Sequence, residues 1–159
     1  MSPRRPRSSE GGARARALRL LARREHSRAE LVVKLGARGH GKEEIEAALA
    51  GLAEAGLQSD ARYAEAYARS RMERGYGPLR IRAELAARGI DETLAERAVA
   101  ALGADWTALA AALRARRFGP GLPRAGAERA RQARWLAGRG FPTEVVRAVL
   151  KGWETDDER

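Results

Sequence analysis

From residue 14 to residue 152 the apolar positions recur at intervals of three and four, the spacing that lines one face of an α-helix. Polar breaks cut this periodicity into nine segments. They predict helices near 14–24, 28–38 and 42–54, then 60–74, 79–88 and 92–102, then 105–117, 127–139 and 143–152. Ala, Leu, Arg and Glu, all strong helix formers, fill these stretches, and β-branched residues are sparse. The expected class is all-α.

The helices fall into three sets. Leu35-Gly36-Ala37-Arg38-Gly39, Leu85-Ala86-Ala87-Arg88-Gly89 and Leu136-Ala137-Gly138-Arg139-Gly140 are versions of one pentad, spaced by 50 and then 51 residues. The match extends in both directions. Leu31 and Ile81 correspond four positions upstream, with Gln132 in the third copy. Downstream come His40, Ile90 and Phe141, then Ile45, Ala95 and Val146, then Leu49, Val99 and Leu150, with Leu52, Leu102 and Trp153 closing each unit. A repeat of this length marks stacked units that each add one supersecondary element. The chain is therefore expected to form three tandem three-helix repeats, 14–57, 58–103 and 104–153, in an elongated, curved array.

Punctuation agrees with these boundaries. Ser27, Asp60, Asp91 and Thr143 are candidate N-caps, and Pro78 suits a first helical turn. Gly39, Gly89 and Gly140 stand where a helix must end in a left-handed residue. Phe118–Ala125, with two prolines and two glycines, is the longest break and a candidate hinge. Residues 1–13 are rich in Pro, Ser, Gly and Arg and read as a disordered basic arm, and 154–159 as a frayed acidic tail.

Composition narrows the chemistry. Hydrophobic residues make up 44% of the 159 and charged residues 33%, enough for a core. Aromatics are only 5%, so that core must be thin, with Ala bringing backbones close together. The absence of Cys excludes disulfides, thiolate catalysis and Cys-ligated zinc or iron–sulfur sites. No apolar stretch approaches the roughly 20 residues that cross a bilayer, and Arg4 and Arg5 are followed by more arginines rather than an apolar signal segment. A cytoplasmic location is expected.

The net charge is +10, and its distribution is uneven. Residues 1–16 carry +4, 17–57 and 58–103 carry +1 each, 104–153 carry +7 with ten basic groups against three acidic, and 154–159 carry −3. A basic chain favours polyanionic partners, and here the positive field sits on the arm and the third unit.

Catalytic and metal chemistry find little footing. Gly36-Ala-Arg-Gly-His-Gly41-Lys42-Glu43 has phosphate-loop spacing up to its Lys, but Glu43 stands where a Ser or Thr is needed and no strand precedes it. His26 and His40 are the only histidines, and His40 occupies the register of Ile90 and Phe141, a packing position. Arg80, Glu84 and Arg88 lie at helical spacing and read as surface ion pairs. No nucleophile, base and acid come together, so neither an enzyme nor a cofactor is expected. Tyr63 and Tyr67 share a helix face and default to the core.

Binding chemistry is better represented. Arg38, Arg88 and Arg139 recur before the terminal Gly of each pentad, either complementing the helix dipole, facing a partner with its own repeat, or both. Trp135 matches the outward register of Lys34 and Glu84; it either folds over the Phe118–Ala125 loop or stands as an exposed anchor. Arg129, Arg131, Arg134 and Arg139 surround it, and Arg114, Arg116, Arg117 and Arg124 precede it. Aromatic residues among arginines suit base stacking or an acidic surface.

Three stretches resemble the RecX regulators of bacterial RecA recombinase. They are Asp60-Ala-Arg-Tyr63-Ala64; Gly77-Pro78-Leu79-Arg80-Ile81-Arg82-Ala83-Glu84-Leu85-Ala86-Ala87-Arg88-Gly89-Ile90; and Ala17-Leu-Arg-Leu-Leu21 with Ser27-Arg-Ala-Glu30-Leu31. The resemblance covers roughly 14–152, with a single Asp60 where the family often has two acidic residues. It implies a cytoplasmic protein of tandem three-helix units that binds the RecA–DNA filament along its groove. Inhibition of ATP hydrolysis, of strand exchange and of repressor self-cleavage in the SOS response is implied with it, and so is a role in recombination and DNA repair. No catalytic residues come with the family.

The expected protein is thus a monomeric, non-enzymatic filament regulator that also meets single-stranded, and in some contexts double-stranded, DNA. Its contacts are expected from Arg114, Arg116, Arg117, Arg129, Arg131, Arg134, Trp135 and Arg139, with Arg80, Arg82 and Arg88 as a second group. The alternative is an autonomous DNA-binding protein of helix-turn-helix character.

Overall fold

The computed structural model describes residues 12–151. Among them are nine α-helices and no strand: α1 Ala13–Arg23, α2 Arg28–Ala37, α3 Lys42–Glu54, α4 Asp60–Glu73, α5 Pro78–Ala87, α6 Glu92–Ala101, α7 Trp106–Phe118, α8 Gly126–Gly138 and α9 Thr143–Val149. Residues 1–11 of the expected arm, the expected tail 154–159 and Trp153 lie outside the described residues. Ala13, assigned to the arm from sequence, instead opens α1. It is buried, and its N–H donates to Glu44 Oε1 on α3 at 2.9 Å.

Side-chain caps explain four of the nine helix starts and correct two expectations. Ser27 accepts from Glu30 N while the Glu30 carboxylate accepts from Ser27 N, a reciprocal capping box. Asp91 caps α6 through Leu94 N at 2.9 Å, and Pro78 takes the first position of α5. Asp60, however, does not cap α4: Ser59 does, accepting from Arg62 N. The Asp60 carboxylate is thereby released to accept from Arg28 N at 2.8 Å in the first turn of α2. Thr143 is likewise no cap, because α9 starts from Pro142 with no side-chain acceptor.

Each set of three helices encloses its own core, and the substantial helix–helix packing all runs within a set. Leu31, Leu35, Leu49 and Leu52 fill the first. Ile81, Leu85 and Tyr63 fill the second, and Leu136, Phe141 and the α9 valines the third. Small residues set the helix spacing. Ala13 and Ala17 on α1 and Ala64 and Ala68 on α4 are fully buried one turn apart, as is Ala110 on α7. Trp106 packs against both the second and the third cores and meets Phe141 edge-on at 6.5 Å.

The units are joined by one device used twice. At the first joint the N-terminus of α2 sits on the turn that ends α5: Ser27 Oγ donates to Arg88 O at 2.9 Å, and Ala29 lies against Gly89. At the second, the N-terminus of α5 sits on the turn that ends α8. Gly77 N donates to Arg139 O at 2.8 Å and Leu79 N to Gly140 O at 3.0 Å. Positive helix starts therefore face carbonyl-rich helix ends. Gly89 and Gly140 have φ of +78° and +99°, so the pentad supplies both the left-handed turn and the seat for the neighbouring unit.

Candidate functional site

Arg80 and Glu84 occupy successive turns of one face of α5, with Arg88 following at its C-cap, opposite Tyr67 and Arg71 of α4. Glu84 is the hub. It accepts from Arg71 Nε and Nη2 at 2.8 Å each, from Tyr67 Oη at 2.7 Å and from Arg80 Nε at 3.1 Å. Burial alone would raise its carboxyl, but these donors outweigh it and hold the pKa at about 2. Burial and the Glu84 carboxylate together raise the Tyr67 phenol.

Around this hub, guanidinium and aromatic groups alternate. Tyr63 and Tyr67 stack with centroids 5.9 Å apart, and Arg88 lies 4.5 Å over Tyr67. Tyr76, in the turn between α4 and α5, is surrounded by Arg71 at 3.9 Å, Arg139 at 4.2 Å and Arg80 at 4.4 Å. Arg139 also faces Trp135 at 5.5 Å; Trp135 meets Phe118 edge-on at 5.4 Å; and Arg131 and Arg117 approach the Phe118 ring at 5.3 and 5.9 Å. The series runs from the first joint across the second into the third unit, with guanidinium groups outnumbering carboxylates.

The structure sorts the predicted residues into distinct roles. Arg80 and Arg139 come together at the second joint, each donating to the other unit: Arg80 Nη1 to Gly138 O, Arg139 Nε to Gly75 O and Nη2 to Arg74 O. Arg88 donates to Glu84 O of its own helix, the dipole-complementing role, while stacking on Tyr67. Arg116, Arg117 and Arg134 are exposed and, with Arg124, form no ion pair with a described carboxylate. Arg131 is exposed beside Glu128 at 3.1 Å, and Arg129 is half-buried.

The structure corrects one expectation and narrows two. Arg114 is no surface contact: it is 3% exposed, and its guanidinium donates to the carbonyls of Gly119, Pro120 and Gly121 and to Gln132 Oε1. It latches the α7–α8 loop, and Gln132 replaces the core leucine of the first unit in order to receive it. Of the two readings of Trp135, the structure agrees with the first: it is half-buried against Phe118, the first residue of the α7–α8 loop, and is not a free anchor. Arg82 points away from the series and pairs with Glu96 at 2.9 Å and Glu92 at 3.4 Å on α6. Sequence reading missed Tyr76 and Arg71. The repeat register held a signal, since Tyr76 stands in the place of His26, each one residue before the N-cap of its unit's second helix.

This surface can attract and stack on a polyanion carrying planar rings. Guanidinium–aromatic contacts of about 0.5–2 kcal/mol each stiffen it, and its open arginines offer donors that no carboxylate among the described residues consumes.

Comparison with known proteins agrees over the whole described region. Residues 13–52, 59–99 and 105–150 match, in order, the family descriptions "RecX, first three-helix domain", "RecX, second three-helix domain" and "RecX, third three-helix domain". The chain is 47% identical over 156 residues to the regulatory protein RecX of Halorhodospira halophila, covering 95% of this chain and 97% of that one. It is 49% identical over 150 residues to the regulatory protein RecX of Chromohalobacter salexigens, covering 92% and 97%. The crystal structure of RecX from Lactobacillus salivarius shares the fold with a TM-score of 0.76 at 24% identity, covering 90% of this chain and 95% of that one. With all three units matched in order and nearly full-length relatives at this identity, the chain belongs to the RecX family of regulatory proteins.

Proposed function

We propose that this protein binds the RecA–DNA nucleoprotein filament and inhibits its ATP hydrolysis, strand exchange and support of repressor self-cleavage, without catalytic chemistry of its own. The observation that carries the reading is the guanidinium–aromatic series that crosses the second joint and ends in the open arginines of the third unit. A filament is a repeating polyanion with protein subunits at fixed spacing. A repeat-built chain with a positive face meets both features at once. Binding across neighbouring subunits then favours a filament state that hydrolyses poorly. Action as a monomer in the cytoplasm fits the self-contained units and forms part of the proposal.

The test is the single-stranded-DNA-dependent ATPase rate of the cognate RecA as this protein is titrated in. Inhibition at amounts too small to cover the DNA is the expected result. Inhibition only when free DNA is saturated would overturn filament regulation in favour of an autonomous DNA-binding protein. No inhibition at any ratio would remove RecA as the target.

A further inference from the structure

The face of α5 that turns away from the arginine series carries a different surface. Two adjoining cavities of about 410 Å³ each open there, divided by Leu79 and Arg82, which line both. One runs between α5 and α6 over Ala83, Ala86 and Ala95. The other continues towards the third unit over Val99, Ala100, Gly103, Trp106 and Pro142. The groove exists because its floor is built of small side chains. Leu79, 51% exposed, is an apolar group of that size left in the open.

Its charge is opposite to that of the chain. Glu92, Glu96 and Glu144 line the groove against the single Arg82, whose guanidinium is already held between Glu92 and Glu96. A net of two negative charges on an apolar trough repels phosphate and attracts cationic side chains. It is therefore a surface for protein, back to back with one suited to nucleic acid.

We infer that this groove docks a basic amphipathic helix belonging to the protein component of the filament. Its apolar side chains would fill the two cavities on either side of Leu79, and Lys or Arg side chains on its flanks would meet Glu92, Glu96 and Glu144. The inference rests on the filament reading and assigns its protein contact to α5, α6 and the start of α9.

The experiment uses the full chain and the cognate RecA assembled on single-stranded DNA. A photo-crosslinking benzoylphenylalanine is placed at position 83 or 100, both exposed alanines of the groove, and at position 117 on the other face. Expected are crosslinks from 83 and 100 to a RecA helix bearing Lys or Arg. The paired variant Glu92→Lys with Glu144→Lys is expected to weaken filament binding about tenfold while binding to bare DNA is unchanged or stronger. Ala83→Arg, which fills the groove from an exposed site, should weaken filament binding as well. Crosslinks from 83 and 100 only to DNA, to a second copy of this chain or to its own residues 1–11 would overturn the assignment. So would wild-type filament affinity in both variants. Failure of the unmodified protein to bind the filament at all would remove the functional reading itself, and this partner with it.

Discussion

Gly140 approaches Arg80 so closely that a Cβ on the glycine would lie 2.4 Å from the arginine's own Cβ and 2.7 Å from its backbone nitrogen. The same distance, 2.4 Å, separates a Cβ at Gly89 from that of Ala29 at the other joint. Gly39, with the same left-handed backbone at φ +85°, has nothing within 4 Å. One sequence motif therefore carries two separable constraints, the turn and the seat.

Alanine at these three positions separates them. Gly39→Ala is expected to cost about 1 kcal/mol, the left-handed penalty alone. Gly89→Ala and Gly140→Ala add overpacking against the neighbouring unit, for a total of about 2–4 kcal/mol. Urea denaturation of the three variants checks the order. Equal losses at all three would mean that the joints yield at no cost.

Arg114 and Gln132 form a buried polar pair where the other units pack aliphatic groups. Arg114→Leu leaves Gln132 and the loop carbonyls unanswered and should cost about 3 kcal/mol. Adding Gln132→Leu should recover part of that loss, because both polar groups are then gone. The double-mutant cycle in urea checks it, with a favourable coupling of about 1 kcal/mol or more expected.

The periodicity of three and four and the pentad were enough to place nine helices and three units, because Ala- and Leu-rich helices capped by Ser, Asp and Gly are specified locally. The joints were not legible. Whether Ser59 or Asp60 caps α4 depends on where α2 lies, and the sequence is silent on that contact. Arg114 looked like its neighbours Arg116 and Arg117; only Gln132, a polar residue in the register of Leu31 and Ile81, hinted that a buried partner was needed. Tyr76 collects its three arginines from α4, α5 and the turn that ends α8, a convergence that no local spacing encodes.

The open arginines of the third unit should govern salt dependence. Arg116→Ala with Arg117→Ala removes two exposed cations without touching a joint. Binding to single-stranded DNA, alone or within the filament, should weaken, and the slope of log affinity against log salt should fall by about 1.4 for two lost phosphate contacts. Arg82→Ala, whose partners are Glu92 and Glu96, should leave that slope unchanged. Fluorescence anisotropy across a salt series distinguishes the two. A loss of slope with Arg82→Ala matching that of the double variant would show that the charges act through the global field rather than by contact.

Glu84 should make the protein acid-sensitive in a defined window. Its folded pKa of about 2 lies below that of an unfolded glutamate, so the unfolded chain takes up the proton first as pH falls. The stability it contributes is fully present above about pH 5 and is lost progressively towards pH 2. Glu84→Gln removes this contribution at every pH and leaves Arg71, Arg80 and Arg139 around Tyr76 with no carboxylate among them. At pH 7 the variant should be less stable by on the order of 2 kcal/mol, and the gap to the wild type should close as pH falls from 5 towards 2. Urea midpoints at pH 7, 5 and 3 measure that gap, and carboxylates elsewhere, Glu30 included, cancel in the difference. A gap independent of pH would mean that Glu84 acts through packing, and that its charge does not hold Arg71 and Arg80 together.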